Sequence, residues 1–276
     1  MDNFKEIKPD FFIRSNFVDC FKRLGLESMD DIFSFEKGKN LSKENLAKFR
    51  QRIMFETDNP KTTLFLKRYR NIPKLIQLKN WLNRKKRISA MACDLEPGKK
   101  LQELGINTPL TIAYGEKWDG IFEKQSFIIT EKIPDSLSLE EKLPDSFFKN
   151  RKKFIKNLAG FVRKFHDTGF RHRDLYLCHI FCNLQEQFTL IDLNRAFKPF
   201  AFSQKYLIKD LAQLYYSAPG DTVTKADRLR LFLAYQQKEK LTKYDKAIIK
   251  KIKLKALRMA RHDKKYNRTA PFEKTE

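Results

Sequence analysis

Residues Gly169 to Phe197 read G-F-R-H-R-D-L-Y-L-C-H-I-F-C-N-L-Q-E-Q-F-T-L-I-D-L-N-R-A-F, and the fold turns on this stretch. Ile180, Phe181 and Cys182, then Phe188, Leu190 and Ile191, are two short apolar runs separated by the polar Asn183, Gln185, Glu186 and Gln187. Such runs around a polar turn predict a β-hairpin, which returns the chain to where it began. Two carboxylates distant in sequence then lie side by side: Asp174 in His172-Arg173-Asp174, before the first strand, and Asp192 in Ile191-Asp192-Leu193, after the second. The plain alternative is two unrelated turn acids; the matched context on both sides argues against it.

Upstream, Ile155, Leu158, Ala159, Val162 and Phe165 recur at the spacing of a helix that Asp145 or Ser146 caps and Gly169 ends. His166, near its C-terminus, reads as a helix-end cation. Downstream, an aromatic and basic loop leads to a helix start at Lys209-Asp210-Leu211-Ala212-Gln213-Leu214-Tyr215-Tyr216. Ile248, Ile249, Ile252, Leu257 and Met259 alternate with lysines in a basic amphipathic helix, docked on the core or lying on an anionic membrane surface.

The first half is patterned differently. Residues 1 to 30 read as a helical lead-in, with Phe17, Val18, Phe21 and Leu24 on one face and Gly25 as its stop. Phe49 to Glu56 and Thr62 to Tyr69 read as strands joined at Asp58-Asn59-Pro60, with Leu64 and Leu66 on one face and Phe65, Lys67 and Tyr69 on the other. A lone strand lysine is most simply solvated; Lys67 acquires interest only from the motifs downstream. Leu75, Ile76, Leu78 and Leu82 predict a helix after Pro73, and a second helical stretch reaches Leu104-Gly105. Pro97 interrupts that stretch, so its main helix is expected to start there, with Glu96 outside helical geometry. Thr111–Gly115 and Phe127–Glu131 are further strands. The proline- and serine-containing Lys132–Pro144 segment divides an N-terminal lobe, 1–131, from a C-terminal lobe, 132–276.

A chain of 276 residues with 41% hydrophobic composition can build such lobes, and four cysteines do not make a disulfide framework. Free thiols in a reducing compartment are expected. The start, M-D-N-F-K-E-I-K-P-D, lacks the apolar core of a leader, and no run is long enough to span a bilayer; a cytoplasmic location is expected. A net charge of +23 implies either a solvated basic surface or a polyanionic partner. Dense runs lie at Arg84-Lys85-Lys86-Arg87 and from Lys238 to Lys265. Interleaved aromatic motifs of nucleic-acid binders are missing, so no nucleic acid is expected. Cys178, His179, Cys182 and His172 contain zinc-ligand types, but a strand entry holds the two cysteines apart.

Phosphoryl transfer needs a group that orients the acceptor hydroxyl, a divalent metal on the phosphates and a cation on the nucleotide. Asp174, Asp192 and Lys67 are of the types required, with Mg²⁺ as the hard cation a carboxylate holds. H-R-D-L-Y-L-C-H-I-F followed by L-I-D-L-N-R-A resembles the lipopolysaccharide kinase (Kdo/WaaP) family, as do T-L-F-L-K-R-Y, L-G-I-N-T-P, S-F-I-I-T-E and K-D-L-A-Q-L-Y-Y-S over most of the chain. The resemblance implies an α+β, protein-kinase-like bilobal fold with a small β-rich N-lobe and a mainly helical C-lobe. It implies ATP-dependent phosphorylation of a sugar, a heptose of the lipopolysaccharide inner core, with ATP and Mg²⁺ as cofactors. The partner is then an anionic glycolipid, with peripheral contact at the inner face of the cytoplasmic membrane. The alternative is a pseudokinase scaffold that binds nucleotide, lipid or a partner without catalysis.

By that resemblance Asp174 is the catalytic acid with Arg173 as its structural partner, Asp192 the metal ligand, Lys67 the nucleotide lysine and Asp210 the brace of the catalytic loop. Backbone groups from Glu131 to Ile133 meet adenine. His179 replaces the protein-kinase asparagine; it either joins the metal site or hydrogen-bonds a phosphate, since imidazole is a poor Mg²⁺ ligand. Asn194 stands where protein kinases have a glycine, and asparagine tolerates positive φ. The acid that pairs with Lys67 is Asp94 or Glu96. No glycine-rich phosphate cover is present, and the turn from Lys43 to Ala47 would serve instead. The interval between Asp192 and Asp210 is too short for a peptide-docking platform, which favours a small or glycan acceptor.

Overall fold

The structure, a computed structural model, describes residues 3–41, 48–146 and 150–273. The turn from Lys43 to Ala47 lies outside the described residues. Contacts divide the chain into two units, Met1–Lys99 with Pro109–Ile133, and Lys100–Thr108 with Pro134–Glu276.

The first unit opens on strands β1 (Phe4–Lys8) and β2 (Phe11–Arg14), not on the helix expected over residues 1 to 30. Asp10, at φ 60°, turns the chain between them, and Phe11 and Ile13 point into the core while Phe12 and Arg14 are half-buried on the other face. An alternation only four residues long is too brief to outweigh the helical spacing that follows it. That spacing does form α1 (Val18–Arg23), stopped at Gly25 with φ 69°. Next come α2 (Met29–Ser34), β3 (Lys39–Asn40), β4 (Arg50–Asp58), β5 (Lys61–Arg70), α3 (Lys74–Arg84), α4 (Ala92–Glu103), β6 (Thr111–Asp119) and β7 (Phe122–Glu131).

The strands make one antiparallel sheet in the order β1-β2-β6-β7-β5-β4-β3. Phe11, Leu64, Leu66, Ile112 and Phe127 on one face bury Phe21 and Ile32 of α1 and α2, each side chain contributing about 1.5–3 kcal/mol. Arg68 follows Leu64 and Leu66 onto this face and is buried; its Nη1 donates to the carbonyls of Ile32, Phe33 and Phe35 at 2.8, 3.0 and 2.9 Å. Those carbonyls lie at the end of α2, where a helix leaves acceptors without partners.

Helix α3 forms where the leucine spacing predicts it, yet its polarity is inverted. Gln77 is buried, donating to the carbonyls of Ile72 and Glu123 and accepting from the Glu123 amide. Leu75 and Leu82 are 81% and 80% exposed, and Leu78 is exposed beside them. Trp81 stacks on Phe122 with ring centres 5.6 Å apart, and Arg87 lies 3.9 Å over Trp118, so both tryptophans of the chain adjoin the β6–β7 turn. Helix α4 runs unbroken through Pro97, contrary to the sequence expectation, so Glu96 is helical. Burial of Cys93, Leu95 and Leu101 along the helix outweighs the lost hydrogen bond.

The second unit contains β8 (Ser136–Ser138), α5 (Leu139–Ser146), α6 (Arg151–Asp167), β9 (Ile180–Asn183), β10 (Phe188–Leu190), α7 (Ser203–Ser217), α8 (Lys225–Gln236) and α9 (Lys243–Lys264). The segment expected to begin the long helix belongs instead to α5, and α6 starts at Arg151 behind Asn150. The hairpin forms as predicted: β9 and β10 pair antiparallel, with Phe188 opposite Cys182 and Leu190 opposite Ile180, and β8 adds a third strand beside β9. Helix α6 buries Ile155, Leu158, Val162 and Phe165. Helix α7 begins at Ser203, a turn and a half before the expected start, and packs against α9, which buries Ile248, Ile252, Ala256 and Ala260. The apolar stripe of the basic tail is thus spent on the core. An apolar cavity of about 310 Å³ lies in this unit, lined by Leu158, Leu177, Leu214, Val223, Phe232 and Ile249.

Candidate active site

Asp210, on α7 and wholly buried, fixes the loop that carries Asp174. Its Oδ2 accepts from the His172 amide and its Oδ1 from the Arg173 amide, both at 2.7 Å. Arg173 sits at φ 69°, a left-handed conformation disfavoured for a long side chain, and the two charge-assisted bonds hold it there. Its guanidinium stacks over Phe197 at 5.1 Å and Tyr206 at 5.9 Å.

His172 is fully buried, and burial pushes its pKa down. Its Nδ1 accepts from the Asp174 amide at 3.3 Å, which leaves Nε2 to donate to the Ile191 carbonyl at 3.0 Å. A neutral ring of one tautomer therefore ties the loop before the hairpin to the strand end after it. His166 differs from expectation: it is buried, not a solvated helix-end cation, and burial lowers its pKa. It hydrogen-bonds Tyr235 Oη at 3.0 Å and lies 3.4 Å from Asp210.

The hairpin brings Asp192 to the same loop. His179 Nδ1 lies 2.7 Å from the Asp174 carbonyl, an acceptor, so this nitrogen carries the proton. Nε2 then faces Asp192, whose Oδ2 is 3.9 Å away. Asp192 itself takes φ 56°, ψ 58°. The positive φ anticipated for Asn194 thus falls two residues earlier, and Asn194 is in a 3₁₀ turn, Leu193–Arg195. Strain of this kind at a carboxylate is worth about 1–3 kcal/mol and persists where surrounding contacts impose it.

Asp174 is surrounded by donors that the motif reading left unassigned. Arg195 Nη1 lies 3.0 Å from each carboxylate oxygen, Gln213 Nε2 3.4 Å from Oδ1, and Lys209 Nζ 3.9 Å from Oδ1. Lys209 also donates to the Arg173 carbonyl. Burial, aided by Arg195, pushes the Lys209 ammonium down to about 8 against the pull of Asp174. Arg195 lay in the quoted I-D-L-N-R-A stretch; Lys209 and Gln213 stand one residue before and three after Asp210, on the same helix face.

In the first unit, Lys67 Nζ meets Asp94 Oδ2 at 2.7 Å, with 17% and 8% of the side chains exposed. Glu96 lies elsewhere, paired with Lys86 on the surface. Asp94 precedes Pro97, and continuity of α4 through the proline puts the shorter acid in reach. Glu131 ends β7, and its Oε1 accepts from Thr62 at 2.9 Å; Ile133, two residues on, is half-buried. Among the described residues no three His, Cys, Asp or Glu side chains gather as a metal cluster. Asp192 offers a hard oxygen donor, which suits Mg²⁺ held jointly by carboxylate, phosphate and water, whereas the His179 imidazole beside it is a poor donor to that ion.

A model of the lipopolysaccharide kinase (Kdo/WaaP) family matches residues 39–235. The chain belongs to that family. It is 28% identical over 213 residues to the lipopolysaccharide core heptose(I) kinase WaaP of Escherichia coli, covering 73% of this chain and 80% of that protein. To the protein of the same description from Pseudomonas aeruginosa it is 30% identical over 171 residues, 57% of this chain and 63% of that one. A solved structure described as WaaP in complex with acyl carrier protein shares the fold, with TM-score 0.62 at 24% identity over 87% of this chain and 96% of that chain. The family member described here is a sugar kinase with the α+β, protein-kinase-like fold that its motifs imply.

Proposed function

We propose that this kinase transfers the γ-phosphoryl group of ATP to a heptose hydroxyl of the lipopolysaccharide inner core, at the inner face of the cytoplasmic membrane. The observation that carries the reading is the placing of Asp174, His179 and Asp192 on one loop–hairpin unit, in the family motifs. The Asp174 carboxylate, held in aim by Arg195 and Gln213, takes the proton of the acceptor hydroxyl on one oxygen as that hydroxyl oxygen bonds the γ-phosphorus and ADP leaves. Lys67, itself held by Asp94, offsets phosphate charge; Asp192 would hold Mg²⁺, with His179 beside it joining the metal site or hydrogen-bonding a phosphate. The metal, when bound, neutralises charge on the transferring phosphoryl. Backbone groups between Glu131 and Ile133 are proposed to meet adenine.

Membrane contact is supported by α3, whose outward leucines stand beside Lys79, Lys85 and Lys86 in a segment without acids between Asn71 and Cys93. Among the described residues no helix is long and apolar enough to cross a membrane. An acyl carrier protein is a further candidate partner, since a structural relative was solved with one and the apolar cavity of the second unit has the chemistry an acyl chain takes. The test of function is purified protein with ATP, Mg²⁺ and heptose-containing core acceptor. Phosphate should appear on the core glycan and be lost about a thousandfold or more in Asp174→Ala; full transfer by that variant, or none by the parent on any core glycan, overturns the reading.

A further inference from the structure

Helices α7 and α9 pack together, α9 burying Ile248, Ile252, Ala256 and Ala260, and beside that seam the first half of α7 and the middle of α9 present basic residues. Lys205 and Lys209 on α7 and Lys251, Lys255 and Arg258 on α9 line a cavity of about 560 Å³, and no carboxylate lines it. On α9 the three cations fall at i, i+4 and i+7, so they share one face. Like charges gathered round one cavity destabilise the fold that holds them, and nothing in the packing of the two helices requires them. An anion placed there turns each repulsion into an attraction.

Two further observations point to a ligand. Phe202, at the lip of the cavity, caps α7 in the left-handed conformation, φ 57° and ψ 28°, with 79% of its surface exposed. A bulky aromatic residue gains nothing from that backbone and little from that exposure, and strain of this kind concentrates at binding sites. Lys209 then links the cavity to the chemistry, because this lining residue carries an ammonium that lies 3.9 Å from Asp174 Oδ1.

We propose that this cavity binds the anionic substituents of the acceptor, the carboxylates or phosphate esters of sugars next to the one that is phosphorylated, with a sugar face against Phe202. Two or more negative charges match the five cations, and Lys209 sets the distance from the bound anion to the reacting hydroxyl at Asp174. The inference rests on the proposed sugar-kinase function and adds where the acceptor is gripped.

The test is the triple variant Lys251→Gln, Lys255→Gln, Arg258→Gln, whose positions lie on α9 and make none of the contacts given above for Asp174. With deacylated core oligosaccharide as acceptor, KM should rise about tenfold or more, as expected for loss of charge-assisted contacts, while KM for ATP holds and the melting temperature rises as repulsion is relieved. Dephosphorylated and carboxyl-reduced acceptors identify the anion: the one that raises KM in the parent but not in the variant lacks the bound group. An unchanged acceptor KM in the variant overturns the proposal. If the parent phosphorylates no glycan, the functional reading has failed and pyrophosphate tests the cavity alone. A pyrophosphate-induced rise in melting temperature that is larger in the parent supports the anion site; an equal rise in both rejects it.

Discussion

Arg195 Nη1 lies equidistant, 3.0 Å, from the two carboxylate oxygens of Asp174. The arginine is half exposed and the acid a quarter exposed, so the pair is accessible and contributes little to stability. Its effect is on orientation: a carboxylate pinned at both oxygens cannot rotate away from an incoming hydroxyl. Arg195→Ala should lower kcat about 10–100-fold with melting temperature unchanged, and Lys at this site should restore only part, since one ammonium does not reproduce the guanidinium. Initial rates at saturating ATP and acceptor decide it; a kcat equal to the parent's removes Arg195 from the site.

Lys67 and Asp94 form a pair from which solvent is largely excluded. Lys67→Ala and Asp94→Asn should each reduce kcat/KM for ATP on the order of a hundredfold. Glu96→Gln, on the surface with Lys86, should change it less than about twofold. Nucleotide titrations of the three variants separate the two acids, and a larger loss from Glu96→Gln would reverse the assignment.

Glu123 is buried, and burial pushes its carboxyl up to about 7, although its Oε2 accepts from the Ala90 amide at 2.7 Å. The folded value lies above the unfolded one, so the group's contribution is fully present below the ordinary carboxylate range and is lost as pH rises through about 7. Glu123→Gln should therefore be more stable than the parent at pH 8, on the order of 2 kcal/mol, with the advantage gone near pH 5. Thermal melts at the two pH values test this; a constant difference would mean that Glu123 is ionised throughout.

On α3, Leu75→Ser and Leu82→Ser alter side chains that make no core contact. Stability should stay within about 0.5 kcal/mol. Binding to phosphatidylglycerol vesicles, measured by sedimentation, should fall about tenfold for each leucine removed. Equal binding by parent and variants would place membrane contact elsewhere.

The hairpin and the acids at its two ends were legible because each signal is local: two apolar runs, a polar turn, and motifs of fixed spacing. The strand carrying Lys67 was legible for the same reason. The opening hairpin was not, since Phe11 and Ile13 alternate too briefly to compete with the helical spacing behind them. Pro97 misled because local propensity counts a lost hydrogen bond but not the burial of Cys93, Leu95 and Leu101 that outweighs it. The leucines of α3 pointed to the element but not to its orientation, because periodicity does not say which side meets the sheet; that was decided by Gln77 finding three backbone partners. Lys209 and Gln213 escaped notice because their proximity to Asp174 follows from tertiary packing of α7, and no motif spans the interval.

Trp81 and Trp118 both sit beside the β6–β7 turn, in the unit that holds Lys67. Intrinsic fluorescence is therefore a one-sided reporter. Excited at the indole band, the molecule signals the unfolding of its sheet-bearing unit and is silent on the helices around Asp174 and Asp192. Emission and helical dichroism should coincide on heating only if both units melt together. Wherever they separate, activity will follow whichever unit is lost first, and a fluorescence midpoint alone would overstate the survival of the kinase whenever the helical unit is the weaker.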